Sequence, residues 1–573
     1  MRKTQSNPSL EGSPKDSSKK ERGSSISEVF DSRESQQVFQ SRVLVSALQM
    51  AFGTMSSRVL GLLREVAFAA LFSRTVTDAW SAAFRLPNLF RRLLGEGSLS
   101  VSFIPVFVES QQAIHRGDNS DTDLSQNFVS AMFTCLFCVL TLLTIFGILF
   151  SENLLRLILD ENYFVVPGKF ELTVRMAQIM FGFIFFMSLF GFFMGVLNAL
   201  GSFALPALAP TLFNVAMIIS TLIPQKWFPH AGDGLAWGVL VGGALQVGIL
   251  LPALQKKGYL PRFKWVFWGP PYGTLVRKVF VNMVPGSLGM GLLQFTTLVN
   301  LNFASQLGEG VISYIYWADR LLELPLSLIS VSLGTALLPS LSSLWSEGNR
   351  LQFSRTLSDY LRINIFAALP AATGLYFLSQ LLVEIIFLRG KFSAIDALQT
   401  SQVLKVYALI LITTSCVRVL VPAYYAVKNT WFPALVSGVC LLAHLLLAPI
   451  LMEQWGLWGL NLSTFFSGAL NLLLLLAFYS RLISPFYWKS FFGALKFLVP
   501  SAGLGVVCLV GSPLSVYLME FFPPFLARLT SFCFVLVLSA LVFIGLSRAL
   551  ELQEYDRTFR PIFRRLVQKL RRA

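Results

Sequence analysis

Charged residues are scarce in this sequence. Asp, Glu, Lys and Arg make up 13% of the 573 residues, whereas hydrophobic residues make up 54% and the mean hydropathy is +0.64. An ordinary soluble domain carries about 25% charged residues, so that class is excluded. Apolar runs of about 20 residues, each long enough to cross roughly 30 Å of hydrocarbon as a helix, recur from Val43 to Leu550. The composition predicts an all-α polytopic membrane protein.

Histidine and cysteine are also rare, and neither forms a pattern typical of a metal or redox site. Cys135 and Cys138 form a pair within one apolar run, with no second pair and no nearby His, so no metal site is predicted. Of three His, only His444 lies in an apolar segment, where hydrogen-bonded packing is the expected role.

Sequence motifs for catalysis and nucleotide binding are missing as well. There is no GxSxG elbow, P-loop or HExxH motif. The sequence therefore predicts neither an enzyme nor a bound cofactor. Uphill transport would have to draw on an ion gradient or the membrane potential.

Acidic residues are outnumbered by basic ones, 30 against 46, which gives a net charge of +16. The basic residues do not form a soluble patch with interleaved aromatics, so nucleic-acid binding is not predicted. They crowd residues 256–277 and 551–573 instead. The positive-inside rule then places both termini and this loop in the cytoplasm. The basic tail is interpreted as a topology anchor or as a contact for anionic membrane lipid.

About fourteen membrane-spanning helices are predicted, in two six-helix lobes followed by two C-terminal helices. The predicted organisation is a disordered cytoplasmic extension (1–41), an N-lobe of spans 1–6 (42–255), a basic cytoplasmic loop (256–277), a C-lobe of spans 7–12 (278–482), spans 13 and 14 (483–550) and a basic cytoplasmic tail (551–573).

An internal repeat relates the two lobes. Phe84–Phe107, FRLPNLFRRLLGEGSLSVSFIPVF, resembles Ala318–Leu341, ADRLLELPLSLISVSLGTALLPSL, and Pro105 matches Pro339 at an offset of 234 residues. Each segment is the second span of its lobe, and six spans lie between equivalent positions. Equivalent helices then run in the same direction, which predicts a parallel pseudo-two-fold axis along the membrane normal and a transport site between the lobes.

Ionisable residues interrupt the apolar pattern in spans 1, 2 and 8. Each one at the bilayer centre costs about 2.5–3.5 kcal/mol, so they must face water, a protein partner or a charged ligand. A polar cavity is therefore predicted here. These residues are Arg58, Arg64, Glu65, Arg74, Asp78, Arg85, Arg91, Arg92, Glu96, Asp319, Arg320 and Glu323.

Arginine predominates in this set, which favours an anionic ligand, because the planar guanidinium bonds two oxygens of a diphosphate at once. The residues predicted to line the cavity and bind substrate are Arg58, Arg64, Arg91 and Arg320. Those predicted to reach lipid phosphates near a helix end are Arg85 and Arg92. The acidic residues predicted to orient arginines or to hold the lobes together are Glu65, Asp78, Asp319 and Glu323.

Four segments carry a family resemblance: SRVLGLLREV, TDAWSAAFRLPNLFRRLLGEGSLSVSFIPVF, YWADRLLELPLSLISVSLGTALLPSL and GKFSAIDA. They resemble the MurJ (MviN) family of bacterial lipid II flippases over residues 42–550. The resemblance implies fourteen helices, two six-helix lobes of the multidrug/oligosaccharidyl-lipid/polysaccharide exporter type, and two further helices forming a lipid-facing groove. By motif, the family's essential cavity arginines fall on Arg58, Arg64, Arg91 and Arg320. The acidic position after the second arginine, commonly Asp, is Glu65, and the TDA aspartate is Asp78.

The expected function is translocation of lipid II, the undecaprenyl-diphosphate-linked disaccharide-pentapeptide, from the cytoplasmic to the outer leaflet of a bacterial inner membrane by alternating access. Coupling to the membrane potential or to Na⁺ is left open. One alternative is an exporter of another lipid-linked oligosaccharide or of drugs; a drug exporter would have carboxylates dominating its cavity. The other is a non-transporting scaffold for cell-wall synthesis proteins, which would tolerate neutralised arginines.

Overall fold

The computed structural model describes residues 53–92, 98–115, 124–265 and 268–556, and the regular structure in these ranges is helical throughout. The predicted extension 1–41, Glu96 and most of the basic tail lie outside the described residues.

The first half of the described chain forms helices α1 (53–71), α2 (Arg74–Phe90), α3 (Ser98–His115), α4 (Leu124–Leu149), α5 (Ser151–Ile158), α6 (Lys169–Ala199), α7 (Ala204–Leu222), α8 (Asp233–Gly248) and α9 (Leu251–Lys256). The second half forms α10 (Tyr272–Gln306), α11 (Val311–Leu326), α12 (Ser332–Ser346), α13 (Arg350–Phe377), α14 (Ser379–Phe387), α15 (Ala394–Ala426), α16 (Trp431–Leu482), α17 (Trp488–Phe492), α18 (Leu498–Gly511), α19 (Leu514–Leu518) and α20 (Pro524–Ala549).

Nine helices among the described residues are long and apolar enough to cross a membrane, or ten if α13 and α14, which meet at a 72° bend, form one span. The prediction of an all-α polytopic membrane protein is confirmed. The figure of fourteen spans is compatible with these helices and stays a prediction.

Helix α16 shows why spans and helices differ in number. Its 52 residues would extend about 78 Å at 1.5 Å per residue, far more than a bilayer core. Gly456 breaks it with a φ of 51°, a backbone conformation that glycine adopts readily. Ser463 then lies beside His444, and Ser467 donates a hydrogen bond to the Cys440 carbonyl. The two halves, 431–455 and 457–482, therefore form an antiparallel hairpin, which agrees with the eleventh and twelfth predicted spans, about 431–452 and 456–480.

Each lobe is built around one central helix. In the N-lobe α6 packs against α2, α3, α4 and α8, and in the C-lobe α15 packs against α11, α12, α13 and α16. These helices are the fourth spans of their lobes, so the centres of the two lobes are equivalent in order. Helix α10 packs against α3 and α4 of the N-lobe and against α16 of the C-lobe, and it joins the two.

Both lobes contain a π-helical turn near equivalent positions of the repeat. Helix α2 passes into one at residues 91–92, and α11 passes into another at Ser327–Val331. The repeat offset of 234 residues relates 91–92 to 325–326, just before the second turn. By the same offset, Arg85 and Asp319 occupy equivalent positions.

Ion pairs near both membrane faces attach the C-terminal helices to the C-lobe. Helix α18 packs against α13 and α20. At one end of α20, Arg528 Nε lies 2.8 Å from Glu384 Oε2 in α14, and beyond its other end Glu554 Oε1 lies 2.5 Å from Arg362 Nη2 in α13. Between these ion pairs α20 exposes large apolar side chains such as Phe534. This surface is suited to contact with lipid chains.

Reversing the charge of Arg528 is expected to loosen α20. Arg528→Glu should lower the free energy of unfolding by about 1–3 kcal/mol, because it replaces an attractive ion pair with two carboxylates that repel each other, and Arg528→Glu/Glu384→Arg should restore most of it. Thermal unfolding in detergent measures both. Arg548→Glu, at an exposed position on the same helix, is the matched control. A double variant no more stable than the single one would show that the pair does not hold α20.

Candidate functional site

A buried carboxylate joins the two lobes at the centre of the molecule. Glu65 on α1 is 2% exposed, and its Oε1 pairs with the guanidinium of Arg64. The same oxygen accepts a 2.8 Å hydrogen bond from the Tyr316 hydroxyl on α11 and lies 3.8 Å from Arg320 Nε. One carboxylate thus lies between two arginines from opposite lobes. Arg64, Arg320 and Glu65 together carry one net positive charge, which attracts an anion, and Glu323, 3.0 Å from Arg320, offsets part of it.

Arg64 is held in place from the N-lobe side as well. Its Nη1 donates a 3.0 Å hydrogen bond to Asn214 Oδ1, and its guanidinium lies 5.7 Å from the ring centre of Phe213. Asn214 in turn donates to the Ser57 carbonyl at 2.8 Å. These contacts order the side chain before any ligand binds, so little conformational entropy is lost on binding.

The remaining predicted substrate residues lie at three other positions. Arg58 is exposed and donates a 2.5 Å hydrogen bond to Ser327 Oγ in the π-helical turn of the C-lobe. Arg320 Nη1 donates to Glu323 Oε2 at 3.0 Å. Arg91, at the end of α2, donates to Asn88 Oδ1 at 2.9 Å.

A polar pocket of about 160 Å³ lies between the lobes, lined by Arg85, Asn88, Leu89, Arg92, Gln294, Thr297, Leu298 and Asp319. A second pocket of about 100 Å³ shares Arg85, Thr297 and Asp319 with it and adds Asn300 and Tyr407. Arg85 Nε is buried and has no hydrogen-bond partner among the described residues. The expectation that Arg85 and Arg92 reach lipid phosphates is wrong, because both residues line this pocket. The sequence signal that could have placed Arg85 is the repeat, which pairs it with Asp319.

At one membrane face, side chains of the N-lobe bind the N-termini of C-lobe helices. This face is called the closed end below. Asp78 on α2 is fully buried and accepts hydrogen bonds from the Gly310 N–H at 2.6 Å and the Ser313 N–H at 2.9 Å. Gly310 is the N-cap of α11 and has no side chain to cap the helix, so Asp78 caps it from the other lobe. The ammonium of buried Lys169, 2.8 Å away, neutralises the carboxylate.

A second helix N-terminus is held in a similar way. Ser393 and Asp396 form a capping box at the start of α15. Arg74 of the N-lobe donates to Asp396 Oδ1 at 2.5 Å and to Ser393 Oγ at 2.9 Å, and the Tyr314 hydroxyl donates to the same carboxylate at 3.0 Å. The cap of a C-lobe helix therefore also binds the N-lobe.

Main-chain atoms meet at the closed end too. The Lys391 N–H donates a 2.8 Å hydrogen bond to the Ala70 carbonyl. Gly390 has a φ of 59°, and a Cβ there would collide with the Ala70 carbonyl oxygen, so a side chain does not fit. The lobes are in direct backbone contact here, and the closed end is sealed by packing as well as by charge.

No group of three or more His, Cys, Asp or Glu side chains within the described ranges is arranged to hold a metal ion. The site consists of arginines, two pockets and a set of contacts that join the lobes at one face.

The class of protein follows from this fold and site. The structure is similar to a multidrug resistance MATE family transporter of the MOP superfamily in its inward-facing conformation, with a TM-score of 0.62, 13% identity, and coverage of 76% of this chain and 98% of that one. At this identity the likeness shows the fold alone, a helical membrane fold of two lobes. It is also similar to a solved structure of "Lipid II flippase MurJ, inward closed conformation", with a TM-score of 0.70, 26% identity, and coverage of 88% and 98%.

Sequence comparison is more specific. The family model described as "Lipid II flippase MurJ" matches residues 68–536. The "Probable lipid II flippase MurJ" of Bdellovibrio bacteriovorus is 52% identical over 465 residues, 81% of this chain and 87% of the relative. The "Lipid II flippase MurJ" of Burkholderia cenocepacia is 35% identical over 428 residues, 74% and 81% of the two chains. The chain belongs to the MurJ family of lipid II flippases.

Proposed function

We propose that this protein translocates lipid II from the cytoplasmic to the outer leaflet of the bacterial inner membrane for peptidoglycan synthesis. The single observation that carries the proposal is the meeting of arginines from both lobes, Arg64 and Arg320, around one buried carboxylate. Such a site suits a ligand with two adjacent phosphates. The names of the relatives support lipid II as that ligand.

In this proposal the protein alternates between two states. The closed end is the periplasmic face, because both termini and the basic loop are assigned to the cytoplasm by the positive-inside rule. The diphosphate would enter from the cytoplasmic side and reduce the repulsion among Arg58, Arg64 and Arg320. A ligand can shift the lobes only by binding one arrangement more tightly than the other, and relief of this repulsion supplies that difference.

The polyprenyl tail would stay in the membrane along α18 and α20, whose outward faces are apolar. Membrane lipids are the other partners of this surface, and cell-wall synthesis proteins are proposed as neighbours in the cell. The driving force would be an ion gradient or the membrane potential.

The direct test follows lipid II in cells depleted of this protein. Outer-leaflet lipid II, measured with a reagent that does not cross the membrane, should fall on depletion and return when the wild-type gene is expressed. Unchanged accessibility would contradict the flippase function and favour a scaffold or a different substrate. Total lipid II is measured in parallel, so that a defect in synthesis is not mistaken for one in translocation.

Arg85→Ala is expected to weaken lipid II binding by roughly tenfold to a hundredfold, because a charge-assisted hydrogen bond contributes about 1.5–3 kcal/mol. The variant also leaves the Asp319 carboxylate in the same pocket, where it repels a diphosphate. Arg85→Ala/Asp319→Ala should therefore bind better than Arg85→Ala alone. Binding to lipid II in nanodiscs measures both variants. Equal affinity of the single variant and the wild type would remove Arg85 from the site.

A further inference from the structure

The segment that connects α9 to α10 (257–271, described at 257–265 and 268–271) is bound along α4 of the N-lobe. The Arg262 N–H donates a 3.3 Å hydrogen bond to Ser130 Oγ, and the Lys264 N–H donates a 2.8 Å hydrogen bond to Thr134 Oγ1, both on α4. The ring centre of Phe263 lies 5.3 and 5.0 Å from those of two phenylalanines of the same helix. The connecting segment is therefore attached to the N-lobe and is not a free loop.

The attachment points bring the connecting segment to the depth of the membrane boundary. Helix α4 has 26 residues from Leu124 and is about 39 Å long at 1.5 Å per residue, roughly 9 Å more than the hydrocarbon core. Thr134 lies about 15 Å along the axis from Leu124. Even if all of the excess length projects at the Leu124 end, Thr134 is about 6 Å inside the edge of the hydrocarbon. Lys264, which is bonded to Thr134, therefore lies where headgroups meet acyl chains.

Large aromatic side chains of the connecting segment are exposed at this depth. Trp265 is 70% exposed and Trp268 is 85% exposed, and Phe263 is more than half exposed although its ring contacts α4. Tryptophan is enriched where a membrane meets water, because its ring is apolar and its N–H is polar. The segment thus presents an apolar surface that suits contact with lipid.

The positive charge of this region has little compensation. The sequence contains no acidic residue between Asp233 and Glu309. Lys278 pairs with Glu109 of α3 at 2.6 Å. The remaining cations form no ion pair with a carboxylate in the described parts of the chain, so they attract an anion from outside it. These cations are Lys256, Lys257, Arg262, Lys264 and Arg277.

Two of the cations are placed to act together. Ser130 and Thr134 are about 6 Å apart along α4, a distance that two residues of the connecting segment span only when they are extended. Alternate side chains of an extended chain face opposite sides. Arg262 and Lys264 therefore share one side, about 7 Å apart, while Phe263 between them faces α4. Two cations at this spacing can both contact one phosphate group.

The Lys264 ammonium is held at the junction of α4 and α10. Its Nζ lies 4.5 Å from the ring centre of Tyr272, the first residue of α10. The Tyr272 hydroxyl in turn accepts a 3.2 Å hydrogen bond from Asn127 Nδ2 on α4. A ligand of Lys264 would therefore contact the place where the chain passes from the N-lobe into α10.

We propose that the connecting segment binds the headgroup phosphate of an anionic phospholipid in the leaflet that the positive-inside rule assigns to the cytoplasm. Arg262 and Lys264 bind the phosphate, and Trp265 and Trp268 contact the glycerol and acyl chains. An acidic protein would match the charge, but it would not reach the depth of Thr134 or cover exposed tryptophans there. This site is separate from the cavity arginines, and the proposal does not depend on which substrate is transported.

The first test asks whether the segment meets lipid. An NBD fluorophore is attached through Trp265→Cys or, as the matched control in the same segment, through Lys257→Cys, each in the full chain without the native cysteines. Both proteins are placed in phosphatidylcholine nanodiscs with a doxyl quencher on the acyl chain. Quenching should be several-fold stronger at 265 than at 257. Equal or weaker quenching at 265 would place this segment in water and overturn the proposal.

The second test measures lipid preference at the same NBD position, with doxyl-labelled phosphatidylglycerol as a minor component in phosphatidylcholine. Each cation near the lipid surface raises the affinity for anionic lipid about fivefold, so the two should give a preference of roughly thirtyfold. Arg262→Gln/Lys264→Gln should lose this preference, and Arg262→Gln alone should lose about fivefold. Arg262→Lys/Lys264→Arg keeps both charges and should retain it.

The controls make the result specific to this site and to lipid. Arg481→Gln/Arg548→Gln removes two exposed cations from the C-terminal ends of α16 and α20, and it should leave the preference unchanged. Glycerol phosphate in solution should not compete, because it lacks the acyl chains that the tryptophans contact. Competition by glycerol phosphate would show a site for free phosphate instead. A preference that is the same in Arg262→Gln/Lys264→Gln and in the protein with both cations would overturn the proposal.

Discussion

Replacing Arg64 with alanine is expected to abolish lipid II translocation while the protein stays folded in the membrane. The change removes a pre-ordered guanidinium from the interlobe cluster and leaves Glu65, which is 2% exposed, with less compensating charge. The lost charge-assisted hydrogen bonds contribute about 1.5–3 kcal/mol each, so the rate should fall at least a hundredfold. Leaflet accessibility of lipid II in reconstituted vesicles measures this rate.

Two further variants sharpen the result. Arg64→Lys keeps the charge but not the planar fork, and it should recover only part of the rate. Arg156→Ala is the matched control, because Arg156 pairs with Glu152 where both side chains are more than half exposed, and such a pair contributes little. A normal rate for Arg64→Ala would show that the cluster does not act on the substrate.

Replacing Asp78 with alanine is expected to open the closed end and to destabilise the fold. The change leaves the buried Lys169 ammonium without its counter-charge, which should lower the free energy of unfolding by about 3–5 kcal/mol. It also removes the acceptor for the N–H groups of Gly310 and Ser313, so α11 loses the cap that the N-lobe supplies.

The two effects of Asp78→Ala can be measured separately. Asp78→Ala/Lys169→Met removes both buried charges and should regain most of the stability in thermal unfolding, but not the closure. Closure is followed by cross-linking of Thr75→Cys/Glu309→Cys with a short bifunctional thiol reagent, in a background without the native cysteines, since the Thr75 and Glu309 side chains are in contact, with Oγ1 and Oε1 2.5 Å apart. Cross-linking should fall about tenfold in both Asp78 variants. Cross-linking of Asp78→Ala/Lys169→Met at the reference level would show that the cap does not hold the lobes together.

The helical membrane fold and its family were accessible from the sequence because their signals are local. Apolar runs define helices without knowledge of their neighbours. The stretch from Ser57 to Phe107 combines such runs with charged residues that are costly to bury in lipid. A polar cavity inside the protein could therefore be predicted from it directly. The hairpin at Gly456 was predicted as two spans, although nothing marked the glycine itself as the point of reversal.

The partners of the buried charges were not accessible in the same way. Asp78 was predicted to orient arginines or hold the lobes together. Its counter-ion, Lys169, lies 91 residues away at the start of α6. A lysine at the end of a loop is common in sequences, so nothing in its position indicated a buried partner. Arg85 was assigned to the lipid boundary because it lies near the end of a span. Whether it faces lipid or the pocket depends on how α2 is rotated against α10 and α11, which only tertiary packing determines.

The backbone contact between Lys391 and Ala70 bears on how the protein can evolve. Its donor and acceptor are main-chain groups that any residue supplies, apart from proline at 391, so substitutions at these two positions do not remove the bond. Substitution is restricted instead at the neighbouring Gly390, because even one methyl group there would collide with the other lobe. The side chains of the two lobes can therefore diverge over many generations while the distance between their backbones at this face is preserved.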